Sequence, residues 1–149
     1  IDIREHNKKE ILNNPFSKYI EMIEGSSVDK KIIDKVHHIA KDHKKIMIFL
    51  DSNHTHEHCL AELNAYAKLT SVGSYIVAFD TVIEYLPDNH LPNNSNPSIA
   101  DARTYKKGDN PMSAVIEYLK NNDDFEIDSK IDNKLLISVA PNGYLKRIK

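Results

Sequence analysis

Within eight residues, Asp51 to His58, the run DSNHTHEH holds three histidines and two acids, directly after the apolar stretch IMIFL, Ile46 to Leu50. Imidazoles could bind a transition metal, carboxylates a hard cation, and either could exchange protons. A zinc-protease helix needs H-E-x-x-H, and Leu60 stands where the second histidine would be. An iron facial triad could be assembled from Asp51, His54 and His58. Ser, Asn and Thr are helix-start residues and Glu57 suits the positive end of a helix dipole, so His56 and His58 read as solvated first-turn residues.

Asp51 stands apart because a carboxylate closing an apolar strand has little structural purpose beyond capping the next loop. A second apolar run, SYIVAFD from Ser74, ends the same way at Asp80. If the two strands are parallel neighbours, both acids sit on one rim of the sheet, where open α/β sheets bind ligands. Together they could hold Mg²⁺ through oxygen atoms, with water completing the shell. Two loop carboxylates that merely cap turns are the bland alternative.

The elements that would position them can be read along the chain. Glu5–Leu12 reads as a polar helix ended at Asn13-Asn14-Pro15, and Lys18–Glu24 as a short strand stopped by Gly25. Ser26 or Ser27 would cap a helix over Val28–His43, where Val28, Ile32, Val36, Ile39 and Ala40 recur at helical spacing. Ile46–Leu50 has the continuous apolar character of a strand covered on both faces. A helix over Thr55–Leu69 then links it to the strand at Ser74–Asp80, a βαβ unit with a right-handed crossover. Thr81–Asn110, rich in proline and asparagine, reads as a lid loop. Pro111 opens a helix whose Val115, Ile116 and Leu119 share a face. FEID and KLLISVAPNGYLKRI read as antiparallel strands with a hairpin turn at Asn142-Gly143.

The fold class is therefore α/β, a single domain over 1–149, mostly parallel with antiparallel C-terminal strands. With a net charge of −2 and acids and bases interspersed, no basic field invites nucleic acid. The apolar runs are too short to span a bilayer, and the lone Cys59 fits a reducing, cytoplasmic compartment. Oligomeric state is not legible, and a homo-oligomer is compatible with the composition.

The blocks IDIREHN, IEGSSVD, FLDSNHTHEHCLAEL, SVGSYIVAFDT and LLISVAPNGYLKRI, spread from Ile1 to Lys149, resemble the cephalosporin hydroxylase/rhamnosyl O-methyltransferase family. The resemblance implies a Rossmann-like S-adenosylmethionine-dependent methyltransferase sheet with an antiparallel last strand. It would make Ile1–Ile3 the end of the second strand of that sheet and Tyr19–Glu24 the third. It carries the cofactor ribose to Asp2, the adenine loop to Gly25, Ser26, Ser27 and Asp29, and a metal such as Mg²⁺ to Asp51 and Asp80. Phe79 stands where the relatives' second acid would be, so His54, Thr81 or the lid would supply the missing ligand. No two of the four glycines are close enough to form the fold's glycine-rich loop, so a strand-helix-strand unit is expected before Ile1.

The activity implied is methyl transfer to a hydroxyl of a sugar or small metabolite. In it Asp51 and His54 would be catalytic, while Thr81, Arg103 and Tyr105 would shape the acceptor pocket. The family's other name offers an iron-dependent hydroxylase instead, and the missing glycine loop a non-catalytic relative.

Overall fold

The computed structural model describes residues 5–87 and 105–149; Asp2, Arg103 and the centre of the expected lid lie outside them. The first helix, α1 (Glu5–Asn13), stops before Pro15, and Asn14 turns the chain by accepting the Phe16 amide at 2.9 Å. A 3-10 turn follows at Ser17–Tyr19. The strand expected at Lys18–Glu24 does not form: Ile20 is extended, but the segment to Glu24 pairs with no described strand.

Asp29, rather than Ser26 or Ser27, caps α2 (Lys30–Ala40), accepting the Lys31 amide at 2.8 Å. Ser27 is drawn away because its hydroxyl meets the His58 ring. Strand β1 (Ile48–Leu50) leads through residues 51–55 into α3 (His56–Tyr66), which ends in a 3-10 turn at Ala67–Leu69. Thr55 caps α3, as a β-region Thr does when its hydroxyl accepts an early helix amide. Strand β2 (Tyr75–Ala78) pairs parallel with β1, so the expected βαβ unit forms.

The start of the supposed lid is ordered: Thr81–Tyr85 is a 3-10 helix. Its far end, Lys106–Asn110, folds back through a bridge between Lys106 and Asp109. Asn110 then caps α4 (Pro111–Lys120) with a reciprocal capping box to Ser113, and Pro111 takes the first helical position, where a missing N–H costs nothing.

The C-terminal part departs furthest from expectation. Strand β3 (Phe125–Ile127) is followed by α5 (Ser129–Leu135), capped by Asp128; the strand expected in KLLISV does not form, since its first two residues end α5 and Leu136–Val139 join no strand among the described residues. Strand β4 (Tyr144–Arg147) then enters the sheet between β2 and β3, giving the order β1-β2-β4-β3. Since β4 is antiparallel to both neighbours, β1, β2 and β3 run in one direction and only the last strand opposes them. The Asn142-Gly143 turn exists, with Asn142 at φ 59°, but it joins a loop to β4 and makes no hairpin. This mixed sheet, with its antiparallel last strand, is consistent with a methyltransferase-like fold.

Leu63 and Tyr66 of α3, Ala114, Val115 and Tyr118 of α4, and Leu50, Ile76, Ala78 and Leu145 of the sheet form one buried core. Ile76, Val77 and Ala78 of β2 are all fully buried, as their unbroken apolar run predicted. Strand β1 differs, because Phe49 is 58% exposed and one of its faces is open among the described residues.

Candidate functional site

The parallel register sets Leu50 level with Ala78, so the chain leaves β1 and β2 on the same rim. Asp51 follows Leu50 directly. Phe79 extends the ladder by one bond, its amide donating to the Leu50 carbonyl at 3.0 Å, and Asp80 then turns left-handed at φ 56°, ψ 20°. Between the two acids comes His54, whose Nε2 lies 3.2 Å from Asp80 Oδ2 and 3.6 Å from Asp51 Oδ1. One ligand atom from each residue lies within 4.8 Å of the other two. His54 is the most sheltered of the three side chains and Asp51 the most open. The Tyr105 ring stands over His54, centroid to centroid 5.6 Å.

Two carboxylates and one imidazole at this spacing fit a divalent cation that accepts mixed oxygen and nitrogen ligands, Mn²⁺ or Fe²⁺ more readily than Mg²⁺. The open side of Asp51 leaves room for water in the remaining positions. Phe79 brings no donor; its ring sits 6.0 Å from that of Phe49. Thr81 supplies none either, since it is fully buried and its hydroxyl donates to the Pro141 carbonyl at 2.7 Å. Thr81 is therefore an anchor of the turn, where an acceptor-facing position had been expected. Of the expected replacements, His54 is the one whose side chain lies beside both acids among the described residues.

The facial triad of Asp51, His54 and His58 does not assemble. His58 points the other way, its Nε2 3.1 Å from Ser27 Oγ and 3.7 Å from Glu62 Oε1. Nor are His56 and His58 solvated first-turn residues. His56 ties α3 to α4, with Nδ1 2.8 Å from Ser113 Oγ and Nε2 3.0 Å from Glu117 Oε2, while its amide donates to Asp109.

Behind the rim lies a polar stripe that the sequence reading passed over. Glu62 is 3% exposed and accepts a hydrogen bond from Ser52 Oγ at 2.7 Å. One turn on, the Tyr66 hydroxyl donates to the Ser27 carbonyl. Burial, reinforced by the Glu62 charge, raises the Tyr66 hydroxyl above its ordinary pKa and pushes the Cys59 thiol up to about 12. The signal was the spacing His58, Glu62, Tyr66, four residues apart on one face of a helix.

Of the positions expected at the adenine loop, Gly25 has φ 142°, a conformation that L side chains rarely adopt. Ser27 is nearly buried, and Asp29 gives its carboxylate to the helix cap. No helix among the described residues is long and apolar enough to cross a membrane.

Comparison with known proteins converges on one group. A family model described as "Rhamnosyl O-methyltransferase/CmcI" matches residues 1–148. Proteins named rhamnosyl O-methyltransferase from Mycobacterium tuberculosis (strain H37Rv) and Mycobacterium bovis (strain BCG) are each 30% identical over 127 residues. That match covers 84% of this chain and 46% of the relative, so the chain spans about half the length of the curated relatives it matches. No solved structure matches it. The chain thus belongs to the rhamnosyl O-methyltransferase/CmcI family.

Proposed function

We propose that this chain forms the cation and acceptor side of an S-adenosylmethionine-dependent O-methyltransferase acting on a hydroxyl of a rhamnosyl or similar sugar. The observation that carries the reading is the juxtaposition of Asp51, His54 and Asp80 on one sheet rim, in a chain of this family. The sugar comes from the relatives' name and the methyl donor from the family's.

Methyl transfer from a sulfonium to an alcohol breaks one S–C bond, forms one O–C bond and releases the hydroxyl proton. The main task is alignment, since the oxygen must approach opposite the departing sulfur. Asp51, His54 and Asp80 would hold a divalent cation, which supplies Lewis acidity that lowers the pKa of a bound hydroxyl. His54 cannot serve as ligand and base through the same nitrogen, and its Nε2 faces both carboxylates. The ligand role is therefore favoured for His54, and Asp51, open to solvent, is placed to pass the proton to water. Tyr105, over His54, gives the sugar ring an apolar wall beside the reacting oxygen. Gly25, Ser26 and Ser27 would border the adenosyl group, as the family resemblance implies.

The iron-dependent hydroxylase reading has no support, because the only three-ligand cluster among the described residues has one histidine and two acids. The test is transfer of a labelled methyl group from S-adenosylmethionine to rhamnosyl acceptors by the whole protein, with Mn²⁺, Mg²⁺ or chelator. Product that depends on the cation is expected. Absence of both product and S-adenosylmethionine binding would sink the proposal.

A further inference from the structure

A charged side chain in a core is costly unless every partner is in place, so a buried carboxylate with few bonds asks for a reason. Glu62 is such a group. It sits on α3 facing inward, 3% exposed, with no lysine or arginine ion pair among the described residues. Its hydrogen bond comes from Ser52, which lies in the loop between Asp51 and His54. The same carboxylate oxygen is 3.7 Å from His58 Nε2, and that nitrogen is 3.1 Å from Ser27 Oγ. One turn further along α3, the Tyr66 hydroxyl binds the Ser27 carbonyl. Both the side chain and the backbone of Ser27 are thus held by the stripe whose middle member holds the cation loop.

We infer that Glu62 is a positioning residue that couples the Asp51–His54 loop to the Gly25–Ser27 loop, so that filling the cation cluster sets the geometry of the cofactor loop. The link runs Ser52, Glu62, His58, Ser27, every contact of it on residues of α3 or the two loops it joins. Tyr66 acts as a second, cation-independent anchor on Ser27. Helix α3 is a fitting carrier because Cys59 and Leu63, on its packed side, fix it in the core. A shift of Ser52 as its neighbours Asp51 and His54 close on an ion passes directly to Glu62. The inference rests on the methyltransferase reading, which assigns the two loops to one reaction.

The experiment measures S-adenosylmethionine and Mn²⁺ binding to the whole protein, each with and without the other, for the parent and for E62A, E62Q and Y66F. It adds hydrogen exchange at residues 25–29 before and after Mn²⁺. In the parent, Mn²⁺ should tighten S-adenosylmethionine binding by about fivefold or more, a typical linkage between coupled sites. E62A should bind each ligand yet lose that factor, and E62Q, which keeps an oxygen for Ser52, should restore it. Y66F should weaken S-adenosylmethionine binding by about tenfold, as for one lost hydrogen bond, with Mn²⁺ affinity unchanged. Mn²⁺ should slow exchange at residues 25–29 in the parent and not in E62A.

An E62A protein with the parent's linkage factor overturns the coupling. So does a parent that binds Mn²⁺ with no change in exchange at residues 25–29. If E62A does not fold, E62Q and Y66F decide: loss of the linkage factor in E62Q, or of Mn²⁺ affinity in Y66F, overturns it too. A parent that binds neither ligand refutes the methyltransferase reading itself, a result visible before any variant is made.

Discussion

Glu84→Ala tests how the segment before α4 is fixed beside Asp51, His54 and Asp80. Glu84 lies in the 3-10 helix that begins just after Asp80, and its Oε2 accepts the Gly108 amide at 2.9 Å and Asn110 Nδ2 at 2.5 Å. These bonds hold the segment that carries Tyr105 over His54. The Gly108 amide and then the Asn110 side chain lower the Glu84 pKa against the opposing effect of burial. Hydrogen bonds to a charged group contribute about 1.5 kcal/mol or more each. Two of them share one oxygen here, and Asn110 Nδ2 keeps its second partner, the Lys106 carbonyl. The loss in E84A should therefore be about 2 kcal/mol at pH 7. Because the folded-state pKa is depressed, this stabilisation is complete above the ordinary glutamate value of about 4.3 and disappears as pH falls through the folded value. Urea denaturation from pH 7 to pH 3 should show the gap between parent and E84A narrowing toward the acid end at constant m. Equal stability at pH 7, or a gap unchanged at pH 3, refutes the reasoning.

Gly143→Ala should be far more damaging than its size implies. A Cβ there would lie 2.2 Å from the Ala78 carbonyl oxygen and 3.1 Å from that of Ala140, so β4 must move from β2 at a cost of about 3 kcal/mol, read as a fall in Tm. Cys59, buried with its thiol pushed up to about 12, should resist disulfide reagents at pH 8 until the protein is denatured; fast native labelling would contradict its placement. Asp80→Asn, which suits the same left-handed backbone, should lower Mn²⁺ affinity by about 100-fold in calorimetric titration, the upper end for a residue that merely supports a ligand.

What could be read in the sequence was whatever depends on local pattern. The parallel pair β1 and β2, the helix between them and the rim position of Asp51 and Asp80 follow from two apolar runs that end in acids. The failures came where the outcome depends on partners far along the chain. KLLISV has strand composition, yet its first two residues end α5, Leu136 leaves the helix at φ 63° and the place beside β2 is taken by β4, so Leu136 and Ile137 are left exposed. Asn142-Gly143 has hairpin composition, but the glycine is required by the approach of the Ala78 carbonyl rather than by a two-residue turn. His56 looked like an ordinary helix-start residue because Ser113 and Glu117, its partners, lie more than fifty positions away. Glu62 is a related case: the His58, Glu62, Tyr66 spacing places it on one face of a helix, and only packing shows what that face meets.

The strongest physical argument that the rim cluster is more than a pair of turn residues comes from the backbone at Asp80. Left-handed φ and ψ cost an ordinary L residue roughly 1–2 kcal/mol, little or nothing for glycine, and less for asparagine or aspartate. If position 80 served only to turn the chain from β2 into the 3-10 helix, glycine would relieve the strain and asparagine would be as good. What aspartate adds over asparagine is a charge, and that charge lies 3.2 Å from His54 Nε2, which also faces Asp51. Two carboxylates near one another repel unless something positive lies between them. A divalent cation held by Asp51, His54 and Asp80, as proposed above, would offset that repulsion. Because Asn accepts the same backbone, Asp80→Asn separates the two accounts: the turn predicts no consequence, and the site predicts a lost ligand.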